Sequence, residues 1–150
     1  MKKIFLVLLL WTLSGCMSIQ PPVISYVTSP EISVETIKGI GDIFFRYEEN
    51  ATSRSFIGGD MNFGVNRFDL TIVELNEEKL ALQYAEYTPN STIVAGPYGP
   101  TRIPSPGWLI KQGFNKTYTY SVSDKFIRFK GYEFEIQSIE NGILTYKRIK

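Results

Sequence analysis

The stretch that decides the fold is Lys125–Ile149, KFIRFKGYEFEIQSIENGILTYKRI. Two dipeptides punctuate it, Lys130-Gly131 and Asn141-Gly142, and Asn-Gly between alternating apolar residues is a strong hairpin signal. If the first is a two-residue turn, Phe129 faces Tyr132, Ile127 faces Phe134 and Arg128 faces Glu133. If the second is another, Glu140 faces Ile143, Glu135 faces Arg148 and Phe134 faces Ile149. Both registers collect Ile127, Phe129, Tyr132, Phe134, Ile136 and Ile149 on one face. The opposite face gathers Arg128, Glu133, Glu135 and Arg148 into opposite-charge neighbours, each pair contributing roughly 0.2–1 kcal/mol. A one-residue slip would turn those charges into the core, so the stretch is expected to be a three-stranded meander. Lys147 is the misfit on the apolar face, tolerable at an edge where its ammonium reaches water.

The same alternation recurs upstream. Arg67–Leu75 puts Phe68, Leu70 and Ile72 on one side, and Lys79–Thr88 does so with Leu80, Leu82 and Tyr84; the polar Asn76, Glu77 and Glu78 between them predict an antiparallel hairpin. Glu74–Glu86 also has a helix-favouring composition, but the two-residue period fits better. Gly41–Glu49 alternates Ile43, Phe45 and Tyr47 with Asp42, Phe44, Arg46 and Glu48, one apolar face and one mixed, and Gly39 and Gly41 before it suggest a bend or bulge. Asn50–Asp60 reads as a turn region around a short strand at Ser55–Ile57. Pro89–Lys116 carries five prolines and four glycines and reads as a long loop; such loops are usually functional or disordered. Its Tyr98, Arg102, Trp108 and Phe114 argue for function, since Tyr, Trp and Arg are enriched at interaction hot spots. Equally, Trp108 and Phe114 could fold back to cap one end of the domain.

Composition removes several chemistries. The chain has no histidine, which takes away the commonest general base and metal ligand. It has one cysteine, Cys16, so neither a disulfide nor a cysteine-ligated zinc is available within one chain. Without Lys2 and Lys3 the balance is 14 basic to 15 acidic residues, which gives no electrostatic reason to expect nucleic acid. Glu133 and Glu135 have basic residues expected opposite them, so they read as structural ions rather than an acid–base pair. Asp60, Asp69 and Asp124 show no calcium-loop spacing. No catalytic residue, metal site or cofactor is assigned, and hydrolysis is kept only as a distant alternative.

The amino terminus supplies an address. Lys2 and Lys3 precede an apolar run from Ile4 to Leu13, too short to span a bilayer and laid out as a secretory signal. Leu13-Ser14-Gly15-Cys16 resembles the lipobox of bacterial lipoproteins. That resemblance, confined to residues 1–16, implies cleavage before Cys16, a diacylglyceryl group on its sulfur and acylation of the new amino terminus. Met17 rather than aspartate after it would favour the outer membrane in a host with two membranes. Met17–Ser33, with Pro21, Pro22 and Pro30, reads as a tether; Val23–Val27 could instead add an edge strand.

The expected organisation is a signal peptide over 1–15, a lipidated tether over 16–33 and a β-rich domain over 34–150. The fold class is all-β, a small antiparallel barrel or sandwich of successive hairpins. The expected role is a non-catalytic binding or structural module of the cell envelope. Its partners would be the membrane, through acyl chains on Cys16, and an envelope protein or glycan. An inhibitor or exclusion lipoprotein blocking an enzyme or channel is the alternative.

Overall fold

The computed structural model describes residues 21–54, 60–96 and 99–150. Among these, nine strands form two antiparallel sheets packed as a sandwich; of the two all-β forms expected, the sandwich is the one observed and the closed barrel is not. The first sheet contains β1 (Val23–Ser29), β3 (Ile43–Arg54), β4 (Asp60–Leu75), β5 (Lys79–Gly96) and β6 (Gly99–Ser121), in the order β1-β3-β4-β5-β6. The second contains β2 (Glu35–Gly39), β7 (Phe126–Phe129), β8 (Tyr132–Glu140) and β9 (Ile143–Arg148), in the order β2-β9-β8-β7. Val23–Ser29 is strand β1 and pairs with β3 along its whole length, the edge-strand alternative for that stretch.

The meander is present with a correction at its second hairpin. Across Lys130-Gly131, Ile127 faces Phe134, Arg128 faces Glu133 and Phe129 faces Tyr132. Both turn residues have positive φ, 46° and 88°, and so do Asn141 and Gly142, 53° and 74°, the backbone of type I′ turns. Between β8 and β9, however, a bulge at Gln137 shifts the register, so Glu135 faces Lys147 and Phe134 faces Arg148. In the strict register Leu144 and Tyr146 would point away from Phe134 and Ile136. The extra residue lets Phe134, Leu144 and Tyr146 all reach the core, where each is fully buried. Lys147 thereby turns outward to an ion pair with Glu135 at 2.7 Å, and Arg148 becomes the buried cation. Its Nε and Nη1 have no hydrogen-bond partner.

The β4–β5 hairpin also forms, from Leu75 opposite Leu80 to Arg67 opposite Tyr87, and the helical alternative over Glu74–Glu86 is not adopted. Asn76 holds the turn, its Oδ1 accepting from the amides of Glu78 at 3.1 Å and Lys79 at 2.8 Å. Asn50–Arg54, expected as turn, continues β3, while the short strand expected at Ser55–Ile57 lies outside the described residues.

Of the stretch expected as a loop, 89–96 and 99–116 are strand. The four described prolines, Pro89, Pro100, Pro104 and Pro106, misled because they sit where a sheet tolerates them, mostly on the edge strand β6 and beside irregularities of its ladder. Between the pairs Pro89–Trp108 and Ser91–Pro104, one β5 residue faces three of β6. Between Ala85–Asn115 and Tyr87–Ile110, one faces four. Gly107 and Gly113, at φ 101° and 82°, make the backbone of these two bulges possible.

The core lies between the sheets and is mainly aromatic. Both Phe44 and Phe45 are fully buried although adjacent, because the β3–β4 ladder breaks register between Ile43 and Phe45. Phe44 stacks on Tyr146 with centroids 4.3 Å apart, and the Tyr146 hydroxyl donates to the Phe44 carbonyl. Phe45 meets Tyr132 at 4.5 Å and Phe134 at 5.2 Å. At one flank Tyr118 of β6 packs on Phe129 of β7. The edge strands β1 and β2 make the opposite flank.

Candidate cleft at the sandwich mouth

The core face of β3, β4 and β5 changes character along the strands. Cross-strand neighbours on this face run from Phe45, Leu70 and Tyr84 to Tyr47, Phe68 and Glu86, then to Glu49 beside Asn66. The apolar stripe thus gives way to polar side chains in register, and there the β7–β8 turn brings Lys130 over the face. The result is an open cleft of about 250 Å³ lined by Tyr47, Glu49, Asn66, Arg67, Phe68, Glu86, Tyr87 and Lys130.

Its floor is aromatic. Tyr47 stacks on Phe68 at 5.1 Å and 16°. Lys130 Nζ stands 4.8 Å from the Phe68 ring centre and 4.6 Å from that of Tyr84, and donates to the Tyr84 hydroxyl at 2.6 Å. The Tyr84 hydroxyl in turn donates to Glu86. That bond holds the Glu86 carboxyl below its ordinary range, with Lys111 and Lys130 assisting. Burial, together with the Glu86 charge, pushes the Tyr84 phenol well above its own range. Glu49 accepts from Asn66 Nδ2 at 3.2 Å.

On the outer side of the sheet, Arg67 lies 4.8 Å from the Tyr87 ring centre and 6.0 Å from that of Trp108. It is held by Asp69, which also takes a two-bonded contact from Arg46, with Nε–Oδ1 at 2.9 Å and Nη2–Oδ2 at 3.1 Å. Burial alone would raise the Asp69 carboxyl; hydrogen bonds from Arg46 and Arg67 outweigh it and hold the group below its ordinary range.

The residues expected from sequence to form a partner site are not all brought together. Trp108 lies over Gly64 of β4 and leaves no room there for a Cβ, so it packs its arm onto the sheet. Phe114 is exposed in the four-residue bulge, with Lys111 Nζ 4.0 Å from its ring centre. Arg102 lies on β6 opposite Ile93. Tyr98 and Cys16 lie outside the described residues. The cleft residues were passed over because each reads singly as an ordinary strand position. The signal that could have found them is the in-register change from Tyr47 and Phe68 to Glu49 and Asn66. Among the described residues no three His, Cys, Asp or Glu side chains converge to hold a metal ion.

The chain matches no protein-family model, no curated protein and no solved structure.

Proposed function

We propose that this chain is a lipid-anchored envelope lipoprotein whose sandwich is a non-catalytic binding module, with a glycan of the envelope as the ligand of the cleft. The observation that carries the ligand class is the mixed lining. The rings of Tyr47 and Phe68 offer apolar surface for the CH faces of a sugar, while Glu49, Asn66, Glu86 and Lys130 surround them with acceptors and donors for hydroxyls. A non-catalytic role is supported by the engagement of both acids, Glu86 with Tyr84 and Glu49 with Asn66. The anchor rests on the lipobox-like Leu13-Ser14-Gly15-Cys16. The inhibitor reading draws on one feature, the arm of β5 and β6 beyond Tyr87, where the described β4–β5 pairing has ended.

The test is calorimetric titration of the detergent-solubilised protein with peptidoglycan fragments and lipopolysaccharide oligosaccharides, beside Tyr47→Ala and Lys130→Ala. Saturable heat with one class, lost in both variants while their folds persist, supports the reading. Saturable binding that both variants retain places the ligand elsewhere, and no binding of any glycan overturns the ligand class. Cys16→Ser grown with labelled fatty acid tests the anchor: equal label in variant and wild type would exclude lipidation at Cys16.

A further inference from the structure

Fifteen large apolar side chains stand exposed among the described residues, and eight of them fall between Val23 and Ile40. Val23, Tyr26 and Val27 belong to β1, Ile37 to β2, and Ile32 and Ile40 flank β2. These strands are the edges of the two sheets on one flank, opposite the β6–β7 contact, so the exposed apolar groups are concentrated on one side of the sandwich. The only charges over 23–40 are Glu31, Glu35 and Lys38, and β1 itself carries none. An edge without charge or proline within it is the kind that sheets normally avoid leaving bare.

Resting on the lipid anchor proposed above, we infer that this flank lies on the bilayer and fixes the orientation of the domain. Chain length points to the bilayer as its occupant. Seven residues take the chain from Cys16 to Val23, a reach of about 25 Å when fully extended. The start of β1 is therefore held close to the lipid surface. A headgroup layer suits both properties of the flank: being wet, it can bond the free N–H and C=O groups of the β1 edge, while the acyl boundary takes Val and Ile side chains. Tyrosine is at home in that layer, and Tyr26 of β1 stays largely exposed although its ring lies 6.1 Å from that of Tyr47. With one lysine against two glutamates over the stretch, attraction comes from apolar area and should be insensitive to salt.

The test uses the mature lipidated protein in phosphatidylethanolamine–phosphatidylglycerol vesicles containing a nitroxide-labelled phosphatidylcholine. Single cysteines carrying a fluorophore are introduced as Val27→Cys and Ile37→Cys on the flank, and as Gln112→Cys and Thr119→Cys on β6. The flank probes are expected to lose most of their emission to the nitroxide lipid, equally at low and high salt, and the β6 probes to keep theirs. Labelled fatty acid is followed in the same preparations. Lipidated protein with all four probes equally quenched or equally bright overturns the orientation and leaves the anchor standing. Flank probes that turn apolar without quenching show that protein, such as a second copy of this chain, covers the flank, and overturn it too. Absence of the fatty-acid label overturns the anchor and the orientation together.

Discussion

The indole of Trp108 lies against the α-carbon of Gly64, in the space a Cβ would need. Gly64→Val is expected to displace the ring and to cost about 1–3 kcal/mol, the usual penalty of overpacking. In protein prepared from Cys16 onward, Trp108 is the only tryptophan, since the other is Trp11. Its emission should therefore shift red in the variant, with a lower Tm. An unchanged spectrum would mean that the ring does not pack there in solution.

Asp69 should dominate the acid limb of stability. Its carboxyl is held below the ordinary range in the folded protein, so its contribution is present above the unfolded pKa, about 3.9, and is lost as pH falls through the lower folded value. Asp69→Asn leaves Arg46 and Arg67 without their shared partner and should cost about 3–5 kcal/mol at pH 7. The variant's stability should also change less between pH 5 and pH 2 than wild type's, measured by urea unfolding. Parallel pH profiles would assign the acid limb to other groups.

Arg148 is the converse case, a buried cation whose Nε and Nη1 lack partners. Arg148→Met removes the desolvation cost while keeping the length of the side chain. It is expected to stabilise by about 1–3 kcal/mol, read as a higher midpoint in urea. Destabilisation by the same amount would mean that the guanidinium's contacts with the Phe45 and Tyr132 rings, both 5.9 Å away, outweigh its desolvation.

Tyr146 and Tyr84 should ionise well above the ordinary phenol range, because burial raises both phenols and Tyr146 also hydrogen-bonds within the core. A raised folded pKa contributes stability that is present below the unfolded value, about 10, and lost as pH climbs through the folded one. Absorbance at 295 nm is expected to rise in two stages, the later one coinciding with loss of the near-ultraviolet dichroism. A single stage completed with the fold intact would contradict this.

Deleting Gln137 would restore the strict two-residue alternation through β8 and β9, and so force either Phe134 and Ile136 or Leu144 and Tyr146 out of the core. The deletion is expected to abolish cooperative thermal unfolding, whereas Gln137→Ala should change the Tm little. A cooperative transition in the deletion variant would mean that the register can reset without loss.

These contrasts mark what a single sequence discloses here. The β4–β5 hairpin and the Lys130-Gly131 turn were legible because alternation and turn residues act over a few positions, and nothing distant competes with them. The bulge at Gln137 was not, because it answers to Tyr146 and Phe134 both meeting Phe44 across the sandwich, a demand made by the other sheet. Proline content made 89–116 read as loop, since edge position and bulges are properties of neighbours that the stretch itself does not display. The cleft was illegible for a similar reason: Lys130 and Phe68 are far apart in the chain and meet only because a turn of one sheet closes over the other.

The two bulges of β6 separate the length of that strand from the rest of the fold. Tyr118 and Tyr120 keep their places opposite Leu82 and Leu80 whatever the chain does between Ile110 and Asn115, because the four residues there face a single partner residue. Insertions or losses within 111–114 would be absorbed as slack, so the arm can lengthen, shorten or carry a grafted peptide while the aromatic core keeps its register.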